Sequence, residues 1–173
     1  RLALGFQAVG GVSRGTAVTM TENVGRGGLV RRGGVLTAVP AAWKTRRIDF
    51  GRGPKKAMTI PWGDVATAFH STGIPDIEVY VAVPFAARAW SRATRFLGPL
   101  LATGPAQAFL KKRIRSGAPG PTDEERARGR GLLWGEAVDA EGRAVEARLT
   151  TPEGYTLTAL TSLLIVSKVL AGH

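Results

Sequence analysis

The chain has 173 residues, with 24 basic against 13 acidic side chains, a formal charge of +11, and no cysteine. Zero cysteines exclude a disulfide framework, a thiolate zinc site and a cysteine nucleophile, and two histidines, His70 and His173, give little basis for a metal site, so no metal is expected. The length suits a single hydrophobic core, and the longest apolar segment, Leu157 to Val166, falls short of the roughly 20 residues that a membrane-spanning helix needs.

The chain opens on an apolar run, Leu2 to Phe6. Thr16 to Val24 is predicted as a short helix capped by Ser13 and ended by the glycines from Gly25 to Gly28. Leu29 to Arg32 and Val35 to Val39 read as a hairpin, because Gly33-Gly34 supplies the positive φ angles of a tight turn. Arg46 to Phe50 and Lys56 to Ile60 form two further strands around Gly51 to Pro54. Asp64 opens a helical turn, and Ile77 to Val83 is a central strand. From Phe85 to Arg115 the pattern is helical, with breaks expected at Gly98-Pro99 and Gly104-Pro105. Gly117 to Arg130, rich in glycine, proline and charge, is predicted to be an exposed loop open to proteolysis. Leu132 to Val138 and Arg143 to Thr150 alternate around the turn Asp139 to Gly142. Thr151-Pro152-Glu153 has the form of a helix start, a cap followed by proline, and Tyr155 to Leu170 continues as a helix that Gly172 stops. That helix is apolar on most of its circumference and is expected to be buried, one face on the sheet and a second against another domain or subunit. Hairpins mixed with helices, without a regular βαβ repeat, predict one α+β domain over residues 1–173. Its sheet is expected to be mostly antiparallel, with packed helices and a buried C-terminal helix.

The densest set of chemical side chains lies between two β-type runs, in TIPWGDVATAFHSTGIPDIEVYVAVP from Thr59 to Pro84. His70 is the one internal side chain with an unperturbed pKa near neutrality, which makes it the default proton donor or acceptor and the candidate catalytic residue. Asp64, Ser71 and Thr72 are placed to orient it or to hold a substrate carbonyl, and Trp62 to line a pocket. Tyr155, at a helix start, can meet an anion or a backbone carbonyl. The competing interpretation is structural: a capping Asp64, a satisfied His70 and a packed Trp62. Asp49 and Asp76 flank turns and are read as their caps. The charge points to an anionic partner. Its clusters, Arg31-Arg32, Lys44 to Arg47, Arg52 with Lys55-Lys56, and Lys111 to Arg115, are dispersed and lack an aromatic stacking platform. Nucleic acid is therefore a weaker candidate than an anionic cofactor or a carrier-linked substrate.

Taken in order, SRGTAVTMTENV, RRGGVLTAVP, RRIDFGRGP, IPWGDVATAFHSTGIPDIEVY and TPEGYTLTAL resemble the carboxy-terminal half of saccharopine dehydrogenase-like oxidoreductases. The branch most resembled includes the trans-acting enoyl reductases. The resemblance runs from Ser13 to Leu170 and implies a parent enzyme that transfers a hydride between NAD(P) and an organic substrate, with a double bond in a lipid or polyketide intermediate as the first candidate. The family's amino-terminal Rossmann domain carries the cofactor. A dinucleotide turn needs glycines at three fixed positions. Gly25-Arg26-Gly27 meets Val30 at the third, Gly51-Arg52-Gly53 runs into Pro54, and Gly129-Arg130-Gly131 into Leu132. The chain is therefore expected to be the substrate-side and oligomerisation domain of a longer, homodimeric, cytoplasmic protein, binding no NAD(P) by itself and acting on a small-molecule or carrier-linked substrate. The alternative is a non-catalytic module that dimerises or docks to a membrane surface or an acyl carrier. Phe96 to Leu110, beside Lys111-Lys112-Arg113, suits a membrane contact, although its Gly-Pro breaks argue against one continuous amphipathic helix.

Overall fold

The structure is a computed structural model that describes residues 1–9, 11–117 and 119–172; His173 lies outside the described residues. Two parallel strands run through its centre. β1 (Leu2–Val9) and β6 (Ile77–Ala82) pair with Leu2 opposite Ile77 and Phe6 opposite Val81. Every other described pairing is antiparallel, as the hairpin-rich sequence implies. β7 (Arg130–Val138) lies along the second edge of β1, and β8 (Ala144–Pro152) pairs with β7. Two hairpins share the second edge of β6. Its first residue, Ile77, faces Arg31 of the hairpin β2 (Gly28–Arg32) and β3 (Val35–Val39). Its last three residues face β5 (Pro54–Thr59), which pairs with β4 (Thr45–Asp49). The architecture is α+β, an eight-stranded mixed sheet with six helices among the described residues.

Strand alternation sends side chains to both faces, and each face is covered. On one, Ile77 and Val79 of β6 and Leu2, Leu4 and Phe6 of β1 pack against Val65, Ala68 and Phe69 of α2 (Asp64–Thr72). On the other, Ala3, Tyr80, Leu132 and Trp134 meet Ile48, Phe50 and Ala57, because the β4–β5 hairpin folds back across the sheet. Gly5 permits that approach. A Cβ at this position would stand 3.2 Å from Ile48 Cδ1 and 3.4 Å from ring atoms of Phe50 and Trp134. The hairpin is also held by charge. Arg46 donates to both carboxylate oxygens of Glu136, at 2.9 and 2.6 Å, and Arg1 adds a third bond at 3.1 Å. Arg31, buried in β2, donates to the carbonyls of Gly34, Val65 and Ala66 and lies over the Phe69 ring, tying the first hairpin to α2.

α1 (Arg14–Glu22) begins at Ser13, whose Oγ accepts from Thr16 N–H, as expected. α3 (Phe85–Leu101) follows β6 directly, and α4 (Gly104–Arg115) packs on α1. Four features depart from the sequence reading. The helix does not break at Gly98-Pro99. Gly98 packs instead on the backbone of Gly25, where a Cβ would lie 2.8 Å from the Gly98 carbonyl oxygen, so its smallness serves close approach rather than termination. Within the expected Gly117 to Arg130 loop stands a short helix, α5 (Asp123–Arg128). Its capping box joins the Thr122 side chain to Glu125 N–H and the Glu125 side chain to Thr122 N–H. Ala118 of that expected loop lies outside the described residues. At the chain's end, Thr151 and Pro152 complete the β7–β8 ladder, so the cap moves to Glu153 and α6 (Gly154–Leu170) starts two residues later. Burial alone would raise the Glu153 carboxyl, but bonds from Tyr155 and Thr156 outweigh it and hold the group below its ordinary value.

The fourth departure is α6 itself, whose expected burial is not met within this chain. The helix packs against β8, but none of its residues is buried, and Leu160, Leu163, Leu164, Ile165, Val166, Val169 and Leu170 are all exposed. The reason is geometric. β8 is the outer strand of its side of the sheet, and its own residues are exposed from Ala144 to Thr150, so it offers α6 no second layer.

Candidate functional site

α2 carries most of the residues singled out from the sequence. Its apolar positions Val65, Ala68 and Phe69 recur at helical spacing and turn to the sheet. Thr67, His70, Ser71 and Thr72 are left on the solvent side. Asp64 sits in the first turn and His70 in the last. They are six residues apart, about 9 Å along the axis. His70 is exposed, its ring edge-on to that of Phe69 at 5.8 Å between centroids. The hydroxyls of Ser71 and Thr72 donate to the carbonyls of Thr67 and Ala68, and Thr72 Oγ1 also accepts from Ile74 N–H; together they finish the helix. Trp62 precedes α2, packs edge-on against Phe6 at 5.0 Å, and keeps much of its surface exposed. The structure thus places Trp62 just before α2 and spreads Asp64, His70, Ser71 and Thr72 along the helix, and none of them lines the cleft described below.

Tyr155 lies elsewhere, in the first turn of α6. Its hydroxyl accepts from Ser13 N–H at 2.6 Å and shares a bond with Thr16 Oγ1 at 3.0 Å, so it occupies the N-terminus of α1. Partial burial would raise its phenol, but those bonds prevail and lower it from the ordinary tyrosine value. Within this chain the group it meets is a helix N-terminus.

A different set of residues does converge. Where β1 and β6 end side by side, a cleft of about 400 Å³ opens, lined by Gln7 of β1, Ala82 to Pro84 after β6, Lys55 and Lys56 of β5, and Arg88 of α3. The topology explains the convergence. β5 runs antiparallel to β6, so its first residues stand beside the last of β6, and the chain turns from β6 into α3 at Pro84. Gln7 Oε1 is buried and has no hydrogen-bond partner among the described residues. Pro84 caps α3 without a side-chain bond, and no acidic residue occupies the first turn. Arg88 donates to the carbonyls of Lys56 and Val83, which fixes one wall to the other. Lys55, Lys56, Arg88 and Gln7 thus line one space beside the N-terminus of a long helix, with the Arg88 guanidinium engaged by those two carbonyls. A basic, amide-bearing lining at a helix N-terminus is chemically suited to an oxyanion that carries a hydrogen-bond donor for Gln7.

Sequence reading notes Lys55-Lys56 only as part of a basic cluster and does not single out Gln7 or Arg88. The available signal is Gln7 itself, a polar residue just past the apolar run of β1. Among the described residues, no group of three or more histidine, aspartate or glutamate side chains is placed to hold a metal ion. No protein-family model matches the chain, and no curated protein sequence matches it.

Proposed function

We propose that this chain is the substrate-side domain of an NAD(P)-dependent oxidoreductase resembling the saccharopine dehydrogenase-like enoyl reductases. Its basic cleft receives the anionic end of an organic or carrier-linked substrate while a separate domain presents the nicotinamide. The observation that carries the reading is the makeup of the cleft. It holds Lys55, Lys56, Arg88 and Gln7, groups that bind, and no carboxylate–histidine or serine–histidine pair for acid–base or acyl-transfer work. A domain of that kind suits a reaction in which a cofactor supplies the chemistry and the protein supplies position. The exposed apolar length of α6 supports the same reading, since it needs a second domain or a partner subunit to cover it. That exposure also favours the second reading, a dimerisation or docking module without catalysis.

The test uses a full-length protein that contains this sequence. In an NADPH-oxidation assay with enoyl thioesters, Lys55→Ala with Lys56→Ala should raise KM for a phosphate-bearing thioester about tenfold while leaving kcat and the KM of a phosphate-free analogue unchanged. An unchanged KM, or the same loss for both substrates, refutes the assignment of the cleft. The isolated 173-residue chain should bind neither NADH nor NADPH appreciably in calorimetry, and tight 1:1 binding would refute the division of labour.

A further inference from the structure

Between Val79 and Thr122 the sequence carries seven basic residues and no acidic one. α3 and α4 occupy most of that span. At about 100° per residue, Arg88, Arg92, Arg95, Thr94 and Gly98 share one side of α3. This side is fastened to the domain: Arg88 reaches the carbonyls of Lys56 and Val83, Arg95 those of Ala41 and Ala42, while Thr94 and Gly98 are buried. Phe85, Phe96, Leu100, Leu97 and Trp90 fill an arc of the other side, about 140° wide. All five are exposed, Phe96 by 86% and Phe85 by 75%. A surface helix of a globular protein normally turns its apolar stripe inward. α3 does the reverse.

α4 continues the pattern. Gln107, Leu110 and Ile114 are half-buried on its inner side, and Phe109 projects outward, 68% exposed. Lys112 and Arg113 flank it, and Arg115 follows; all three are exposed.

We propose that α3 and α4 form a membrane-surface contact, lying in the plane of an anionic bilayer with Phe85, Trp90, Phe96, Leu97, Leu100 and Phe109 entering the headgroup–acyl boundary. Lys112, Arg113 and Arg115 meet the lipid phosphates. Charge is what selects a lipid surface over a protein. α6, the other exposed apolar helix, is apolar on most of its circumference with Lys168 as its single charge, a pattern suited to burial in protein. α3 and α4 combine tryptophan, phenylalanine and leucine with cations alone. No described helix is long and apolar enough to cross a membrane, so the contact is made along the surface. The inference is independent of the oxidoreductase reading.

Cosedimentation of the 173-residue chain with vesicles tests it. Vesicles of phosphatidylcholine mixed with phosphatidylserine should bind it at low salt, and phosphatidylcholine alone should bind it far less. Lys112→Ala and Arg113→Ala should each weaken binding about fivefold. Phe96→Glu with Leu100→Glu should abolish it with an unchanged far-UV circular dichroism spectrum, because both positions are exposed. Three results would overturn the proposal. One is no binding to mixed vesicles. Another is equal binding to neutral vesicles that survives the Phe96→Glu/Leu100→Glu change, which assigns the contact to α6. The third is a dimer in sedimentation velocity that the same change dissociates, which assigns the face to a second copy of the chain.

Discussion

Replacing Glu136 with glutamine tests the clamp that closes the β4–β5 hairpin over the sheet. The carboxylate is 9% exposed and takes two bonds from Arg46, itself about one-third exposed, and one from Arg1, which is about half exposed. A hydrogen bond to a charged group contributes about 1.5–3 kcal/mol. The Arg1 arm is screened by solvent and adds less than about 1 kcal/mol. A glutamine amide would keep the shape and one acceptor but lose the charge, so Glu136→Gln should cost about 2 kcal/mol near neutral pH. The effect is tied to pH. The bond from Arg46, first among the causes, holds the Glu136 carboxyl below its ordinary 4.5, although partial burial opposes this. A carboxyl depressed in the folded state stabilises above the unfolded value, and that stabilisation is lost as pH falls through the folded value. Urea unfolding of both proteins across an acid series should therefore show a gap that is full near neutrality and closes as pH drops below 4.5. A gap of constant size down to about pH 3 would show that the clamp works by shape and not by charge. Because β5 carries Lys55 and Lys56 into the cleft, the variant should also weaken phosphate-dependent substrate binding.

Two further substitutions probe the helices. Gly25→Ala places a Cβ 2.8 Å from the Gly98 carbonyl at a φ of +89°, so it should destabilise the domain by about 2 kcal/mol or more, read as a lowered urea midpoint; a change under about 0.5 kcal/mol would mean that α3 shifts freely. Leu164→Asp, at an exposed position of α6, should leave the stability of the 173-residue chain within about 0.5 kcal/mol but disrupt assembly of a full-length protein in size-exclusion chromatography. Unfolding of the isolated chain, or unaltered assembly, would refute the role given to that face.

Local chemistry is legible in the sequence and distant pairing is not. Gly33-Gly34 adopts the two positive φ angles that mark the first hairpin, Gly142 supplies a single one in the last, and Ser13 caps α1 as read. The parallel pair β1–β6 has no such mark, because strands joined across most of an intervening α+β unit share no turn. Gly98 reads as a stop because glycine and proline punctuate chains. Its actual neighbour is Gly25, a contact visible only in three dimensions. The capping box in Thr122-Asp123-Glu124-Glu125 is within reach of sequence reading but is masked by the glycine- and proline-rich composition around it. The polar set on α2 stands out in the sequence by its density between two β-type runs. At helical spacing it becomes the outer side of a helix whose inner side is Val65, Ala68 and Phe69. The basic cleft escapes notice because β1, β5 and α3 each contribute one part of it.

The placement of β1 governs the order in which this domain can fold. Leu2 pairs with Ile77 on one side and Ala137 on the other, so β1 waits for two strands that come much later in the chain. The hairpins β2–β3 and β4–β5 close over short loops and can form early, whereas the middle of the sheet carries the highest contact order and assembles last. During synthesis β1 emerges before either partner and lacks its second neighbour until β7 has left the ribosome. Until then its run Leu2-Ala3-Leu4-Gly5-Phe6 keeps one unpaired edge, the kind of surface that holding chaperones cover.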